Sequence, residues 1–192
     1  GSGVCTGDFN NTGNKQLVLV DQMIDSSIGP IADTVVFELD NRGRPAAQHY
    51  LPVPVLDRTS TIKELSHDVA CSVADLNNDG LLDIVVFSRP LPNAGQSWPN
   101  QGQVQVLINR GAWQFDDVTD TALPDYNTNG IVSYTALLLD LNGDGKVDLW
   151  SGYFNFGSGG ANQVFVNNGS AKFTSVMKST IASLNRSEEH TS

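Results

Sequence analysis

The chain has 192 residues, with 11 Lys and Arg against 21 Asp and Glu, which gives a formal net charge of −10. This acidic excess argues against nucleic acid or an anionic membrane as a partner and favours cations. The sequence is 40% hydrophobic and has no long apolar run that could insert into a membrane. Its 18 glycines, set with Asn and Asp between short Val, Ile and Leu runs, predict an all-β fold.

Both ends of the sequence read as cuts. It does not begin with Met, and no charged segment followed by an apolar stretch marks a targeting signal. Residues 186–192 read as the in-frame translation of a common sequencing adapter, so we expect them to lie outside the fold. We therefore expect a fragment of a longer protein, in which residues 1–185 form the structural part.

Three acidic segments of similar sequence recur along the chain. They read Gly-Asp-Phe-Asn-Asn-Thr-Gly, Ala-Asp-Leu-Asn-Asn-Asp-Gly and Leu-Asp-Leu-Asn-Gly-Asp-Gly, and they begin their loops at Asp8, Asp75 and Asp140. The successive intervals are 67 and 65 residues. Such a fixed period is typical of a repeat architecture.

Each acidic segment is followed by an apolar run and an Asn/Gly turn. These turns lie at residues 40–43, 108–111 and 167–169, and they suit tight hairpins that need positive φ. Further apolar or alternating runs of strand length lie between the landmarks, at residues 16–21, 34–38, 84–87, 103–108 and 163–166. Each unit is thus predicted to be a four-stranded antiparallel meander, which is typical of a β-propeller blade. We place the three repeats at about residues 1–56, 66–120 and 130–180.

The second and third acidic loops, residues 75–83 and 140–148, share the pattern D-x-N-x-D-G-x-x-D. Side-chain oxygens at loop positions 1, 3, 5 and 9 would converge on one point, and Gly at position 6 allows the sharp turn. A backbone carbonyl at position 7 would add a fifth ligand, and this hard oxygen set favours Ca²⁺ over Zn²⁺ or Mg²⁺. The candidate metal ligands are Asp75, Asn77, Asp79, Leu81 and Asp83 in one loop and Asp140, Asn142, Asp144, Lys146 and Asp148 in the other.

Two other interpretations of these loops are less consistent with the sequence. Asp-Gly is an ordinary turn former, but three carboxylates at ~4 Å would repel by roughly 4 kcal/mol per pair at an effective dielectric of about 20. An EF-hand needs an acidic residue at position 12, which is Val86 or Ser151 here. The first loop, residues 8–16, has Thr12 and Gln16 where the others have Asp, so we expect its turn without tight metal binding. Two Ca²⁺ sites are therefore predicted.

With these loops and strands, the sequence resembles a known family, the FG-GAP/VCBS repeats of integrin α-subunit-like β-propellers. The similarity is carried by residues 75–83 and 140–148 with their preceding strands at 69–74 and 134–139, and it extends over about residues 1–185. It implies blades whose first loop carries Ca²⁺, in a secreted or cell-surface protein. The chain departs from the family in its degenerate first loop and in having about three blades, so we expect an incomplete ring with exposed strand edges.

The two cysteines are predicted to be buried and free. Cys5 lies three residues before its loop aspartate and Cys71 lies four residues before its own, so in equivalent strands they point to opposite faces. This parity disfavours a bridge between neighbouring blades. A disulfide from either cysteine to a further blade remains an alternative.

No catalytic residue is predicted. His49 and His67 lie outside any metal-ligand or triad motif, and neither H-E-x-x-H nor G-x-S-x-G occurs. A binding surface is easier to place, because connections in a meander alternate between the two ends of a blade. The variable loops opposite the acidic loops carry aromatic residues suited to binding. The candidate ligand-binding residues are Trp98, Tyr126, Tyr153 and Phe156.

The sequence as a whole predicts a calcium-binding secreted or cell-surface β-propeller module for binding a protein or glycan. Its Ca²⁺ would be structural, because each ion would be enclosed by one loop. The alternative is a non-catalytic or substrate-binding propeller part of an extracellular enzyme of the polysaccharide-degrading or lipase-like kind.

Overall fold

The computed structural model describes residues 3–20, 34–52, 66–90, 103–124, 133–153 and 163–176. Within these ranges, twelve strands form three four-stranded antiparallel sheets, here called blades 1 to 3. Blade 1 contains β1 (Gly3–Gly7), β2 (Gln16–Val20), β3 (Val35–Leu39) and β4 (Pro45–Tyr50). Blade 2 contains β5 (Ser66–Ala74), β6 (Asp83–Pro90), β7 (Gln103–Asn109) and β8 (Phe115–Asp117). Blade 3 contains β9 (Ser133–Leu139), β10 (Asp148–Tyr153), β11 (Gln163–Asn167) and β12 (Phe173–Val176).

The strands of each blade lie side by side in chain order, so every blade is a meander. Its first strand contacts the first strand of the next blade, with β1 against β5 and β5 against β9. This arrangement confirms the all-β fold and is consistent with propeller blades in an open ring. Val86 and Ser151, which would be position 12 of an EF-hand loop, lie in strands β6 and β10, which agrees with the rejection of an EF-hand.

The core consists of two layers, one on each side of blade 2. Ile84 and Val86 of β6 pack toward blade 1, whereas Val85 and Phe87 pack toward blade 3. All four are fully buried, because a central blade is covered on both faces. Strand β2 of blade 1 instead alternates between buried and partly buried residues. The continuous apolar run of β6 is thus typical of a blade with a neighbour on each face. The alternation in β2 is typical of a blade with one neighbour.

The prediction that the cysteines are free is wrong, because Cys5 and Cys71 form a disulfide with their Cα atoms 5.9 Å apart. Cys5 and Cys71 do point to opposite faces of equivalent strands, as predicted. This orientation favours a bridge between neighbouring blades instead of disfavouring it. Blades stack face to face, so one face of blade 1 meets the opposite face of blade 2. Side chains that point to opposite faces of equivalent strands are therefore the ones that meet across the interface.

One element was not predicted. A short helix, α1 (Thr119–Ala122), follows β8 and packs on β7, where the Val106 N–H donates to Thr119 Oγ1 at 3.0 Å. Among the described residues, no helix is long and apolar enough to cross a membrane.

Candidate metal centres

The three acidic loops connect the first and second strands of their blades, and the Asn/Gly turns connect the third and fourth strands. Side chains link these loops and turns between blades, so both kinds of connection lie at the same end of the molecule. In the turns, Gly43, Gly111 and Gly169 have φ of 73°, 78° and 90°. The predicted need for positive φ at these glycines is confirmed.

The first aspartate of each loop holds the loop together through backbone N–H groups. Asp75 accepts hydrogen bonds from the N–H groups of Asp79 and Gly80, at 3.1 and 2.8 Å. Asp140 accepts the equivalent bonds in the third loop, and Asp8 accepts them in the first. The aspartate at position 1 thus favours the same turn in all three loops.

Two positions of each loop adopt left-handed backbone conformations. In the second loop these are Asn78, with φ of 60°, and Gly80, with φ of 86°. In the third loop they are Gly143 and Gly145, with φ of 77° and 80°. Only Gly and Asn adopt this region at little cost, so loop position 4 is constrained as well as position 6. The loop pattern predicts such a role for position 6 but not for position 4.

Loop position 9 is a buried polar site in each loop. Asp83 is fully buried, and its two oxygens accept hydrogen bonds from the N–H groups of Leu76 and Asn109, both at 2.8 Å. Asp148 accepts the matching bonds from Leu141 and Asn167 at 3.1 and 2.8 Å. Each carboxylate oxygen keeps a further lone pair for a cation.

Burial raises the pKa of Asp83 from 3.8 to about 6. The N–H groups of Asn109 and Leu76 oppose this shift, and the charges of Asp79 and Asp75 add to it. The carboxylates of Asp79 and Asp75 are therefore close enough to disfavour the ionisation of Asp83. Such a loop carries more negative charge than it can compensate internally.

The other candidate side-chain ligands at positions 3 and 5 contact residues two positions away in their own loop. The Asn77 amide donates to Asp79 at 2.8 Å, and Asp79 accepts the Leu81 N–H at 2.9 Å. In the third loop, Asp144 accepts the Lys146 N–H at 3.0 Å and pairs with the Lys146 ammonium at 3.2 Å. The Lys146 N–H is the main cause of the lowered pKa of Asp144.

Over the described residues, no group of three or more His, Cys, Asp or Glu side chains is arranged to hold a metal ion. The carboxylates instead accept hydrogen bonds from N–H donors, most of them in the same loop and two of them, Asn109 and Asn167, at the ends of β7 and β11. The donor set still suits a hard cation, since positions 1, 3, 5 and 9 supply oxygens and the buried carboxylate at position 9 of the second loop lacks a countercharge.

The first loop has a different residue at position 9. Gln16 is buried there, and its Oε1 accepts the Phe9 N–H at 2.8 Å. Its Nε2 donates to Asn10 Oδ1 at 3.2 Å and to the Asn14 carbonyl at 2.8 Å. The sequence predicts the missing carboxylate at position 9 but not the hydrogen bonds that the Gln16 side chain makes.

Buried asparagines that the sequence analysis did not single out join neighbouring blades. Asn109, at the end of β7, donates to the carbonyls of Phe9 in blade 1 and Leu82 in blade 2, at 2.8 and 3.1 Å. Asn167, at the end of β11, donates in the same way to Leu76 and Val147, at 2.8 and 3.0 Å. The sequence signal is an Asn directly after the apolar run of the third strand.

Of the four predicted ligand-binding residues, Tyr153 alone lies within the described part of the chain. Trp98, Tyr126 and Phe156 lie outside the described residues. Tyr153 ends strand β10. The proposed ligand-binding face therefore stays a prediction.

Comparison with known families identifies part of the chain. Residues 75–151 match the family model described as the FG-GAP-like repeat. The match begins at the first aspartate of the second loop, includes the whole third loop and ends in β10. No curated protein matches the chain. The resemblance to FG-GAP repeats is confirmed over this segment, and the three four-stranded sheets agree with it.

Proposed function

We propose that the chain is a calcium-stabilised β-propeller module that works outside the cell and binds a protein or glycan without catalysing a reaction. One ion would lie in each of the second and third loops. It would be held by the side chains at positions 1, 3, 5 and 9 and by the carbonyl at position 7. The metal would fix the loop and would take no part in a reaction.

The observation that carries the proposal is the buried Asp83. A carboxylate with no countercharge has a raised pKa because its charged form is poorly solvated, and the nearby Asp79 and Asp75 charges raise it further. A divalent cation would lie close to all three carboxylates and would offset two of their three negative charges. At a Ca²⁺ concentration about a hundred times the dissociation constant, each site would stabilise the fold by about 2.7 kcal/mol.

An extracellular location is supported by two features. Disulfides such as Cys5–Cys71 form and persist mainly in oxidising compartments. Free Ca²⁺ at the millimolar level outside cells also suits loops of weak to moderate affinity, because extracellular modules bind with dissociation constants of roughly 10⁻⁴ to 10⁻³ M. The partner would contact the variable loops at the other end of the blades, through Trp98 and its neighbours.

Calorimetric titration of the decalcified protein with Ca²⁺ tests the proposal, with an expected stoichiometry of two. Asp79→Asn should reduce the stoichiometry to one, because it removes a carboxylate from the second loop. Asp144→Asn should do the same for the third loop. The matched control Thr12→Ala changes the same position of the first loop and should leave the stoichiometry at two.

The same titration repeated across pH checks the role of Asp83. Below pH 6 its carboxyl is protonated in the folded, metal-free protein, so Ca²⁺ must displace a proton and its apparent affinity should fall. Without calcium, protonation favours the folded state, and stability should increase as pH falls from about 6 toward 4. A stoichiometry of zero, or a preference for Zn²⁺, would contradict the proposal.

A further inference from the structure

The first loop differs from the other two in what lies at its centre. The Gln16 Oε1 accepts the Phe9 N–H, as Asp83 accepts the Leu76 N–H in the second loop. The distances are the same, 2.8 Å. The carbonyl oxygen of the glutamine thus replaces one carboxylate oxygen, and the remaining difference lies in the amide nitrogen.

The amide nitrogen of Gln16 donates to two of the oxygens that would bind a cation. Gln16 Nε2 donates to Asn10 Oδ1 at 3.2 Å and to the Asn14 carbonyl at 2.8 Å. Asn10 and Asn14 occupy loop positions 3 and 7. Thr12, at position 5, donates its hydroxyl to the same Asn10 oxygen at 2.7 Å. Among the described residues, the asparagine oxygen at position 3 of the second and third loops accepts only a backbone N–H. In the first loop the oxygens at positions 3 and 7 accept side-chain N–H and O–H groups from positions 9 and 5.

We infer that the Gln16 side-chain amide takes the place of Ca²⁺ in the first loop, so that this loop keeps its conformation without a metal and excludes one. The inference rests on the proposed function, since it compares this loop with loops that hold the ion. It also agrees with the charge of the loop, whose one carboxylate, Asp8, accepts the N–H groups of Thr12 and Gly13. Blade 1 is therefore independent of calcium, whereas blades 2 and 3 depend on it.

Terbium luminescence titration of the wild type and of the double variant Thr12→Asp/Gln16→Asp tests this inference. The double substitution restores D-x-N-x-D-G-x-x-D, and the side chain at position 16 becomes one methylene shorter, which vacates the centre. The expected stoichiometry rises from two to three. A wild-type stoichiometry of zero overturns the proposed function. A wild-type value of three, or a value of two that the double variant does not raise, overturns this inference alone.

The near-isosteric variant Gln16→Glu isolates the amide nitrogen. It puts a carboxylate oxygen where Nε2 donates, so that oxygen would face the Asn10 and Asn14 oxygens. We expect a lower thermal midpoint than the wild type in EGTA at pH 7, with recovery toward the wild-type value at pH 4. An unchanged midpoint at pH 7 would show that the amide has no such role.

Hydrogen exchange of the unmodified protein gives a measurement that needs no variant. On addition of EGTA, the Asp79 and Gly80 amides should exchange at least about tenfold faster, which corresponds to about 1.4 kcal/mol of local stability. The Thr12 and Gly13 amides should keep their protection. Equal acceleration in both loops would overturn the inference.

Discussion

The two interfaces between blades share one design but differ in how strongly they are joined. Each contains a buried asparagine that reaches from the turn of the later blade to the loop of the earlier one, Asn109 in the first interface and Asn167 in the second. Only the interface between blades 1 and 2 has the disulfide. There the Gln105 amide also donates to the Pro52 carbonyl at 2.8 Å, and Trp113 stacks on His49 with ring centroids 4.2 Å apart.

This difference shows how a repeat can vary without losing its fold. The asparagine bridge recurs in both interfaces, so it belongs to the repeat. The disulfide and the stacked rings lie in the interface of blade 1, whose loop has a single carboxylate. Blade 1 is thus joined to its neighbour by bonds that do not depend on calcium. Blade 3 is joined by the bridge, by hydrogen bonds from Asn78 to the Gly169 carbonyl and from the Ala171 N–H to the Leu76 carbonyl, and by an apolar layer.

The largest expected effect comes from removing the disulfide. Cys5 and Cys71 are 66 residues apart, and freeing a loop of this length should lower the free energy of unfolding by about 4 kcal/mol. Urea denaturation of the variant Cys5→Ala/Cys71→Ala measures this loss. A thiol reductant should destabilise the wild type by a similar amount and leave the variant unchanged. If the oxidised wild type and the variant were equally stable, the disulfide would not strengthen the first interface, and the main proposed difference between the two interfaces would be wrong.

Replacing either asparagine bridge should cost less. Asn109→Leu removes the amide donor to the Phe9 and Leu82 carbonyls, and Asn167→Leu removes the donor to the Val147 carbonyl, while Leu76 keeps the Ala171 N–H. Each substitution also removes the acceptor of a turn N–H, that of Gly111 or Gly169, so each should lower the free energy of unfolding by about 2 kcal/mol. By strand register, the equivalent position in blade 1 is Leu39, which has no such bridge. Leu39→Asn is therefore the matched control and should change stability by less than about 0.5 kcal/mol. Clearly unequal losses at Asn109 and Asn167 would show that the two bridges are not equivalent.

The smallest effect concerns how closely the blades approach. A Cβ added at Gly7 would lie 2.9 Å from Leu82 Cδ1 and 3.1 Å from Val73 Cγ1. Gly7→Ala should therefore destabilise the first interface by about 1 kcal/mol, as overpacking does. The equivalent residue of blade 2 is Ala74, whose methyl group the second interface already accommodates. Thermal unfolding should show a lower midpoint for Gly7→Ala than for the wild type. A higher midpoint would contradict the close approach of Leu82 and Val73 to Gly7.

Much of the fold could be predicted from the sequence because it repeats. The period, the Asn/Gly turns and the apolar runs are local features, and the structure has the predicted meanders. The disulfide was missed because it depends on how blades face each other, which no single repeat contains. The short helix α1 was missed because four residues carry no helical period.

The candidate loops could be found from the sequence, whereas the bonds that distinguish them could not. A missing carboxylate at Gln16 predicts a weak site, but only the positions of Asn10 and Asn14 show what the glutamine side chain does instead. Asn109 and Asn167 resembled ordinary turn residues in the sequence. Their role depends on carbonyls about ninety to a hundred residues away, so it emerges only when neighbouring blades pack.

The asparagine bridges also give the stack of blades a polarity. In both interfaces the amide comes from the later blade and the carbonyl comes from position 2 of the earlier loop. Phe9 and Leu76, at that position, are 1% and 0% exposed beneath the following blade, whereas Leu141 of blade 3 is 43% exposed. Blade 1 has Leu39 where an amide would be donated. The two outer faces are therefore not interchangeable, and two copies stacked head to tail would place a leucine where the internal interfaces place an asparagine.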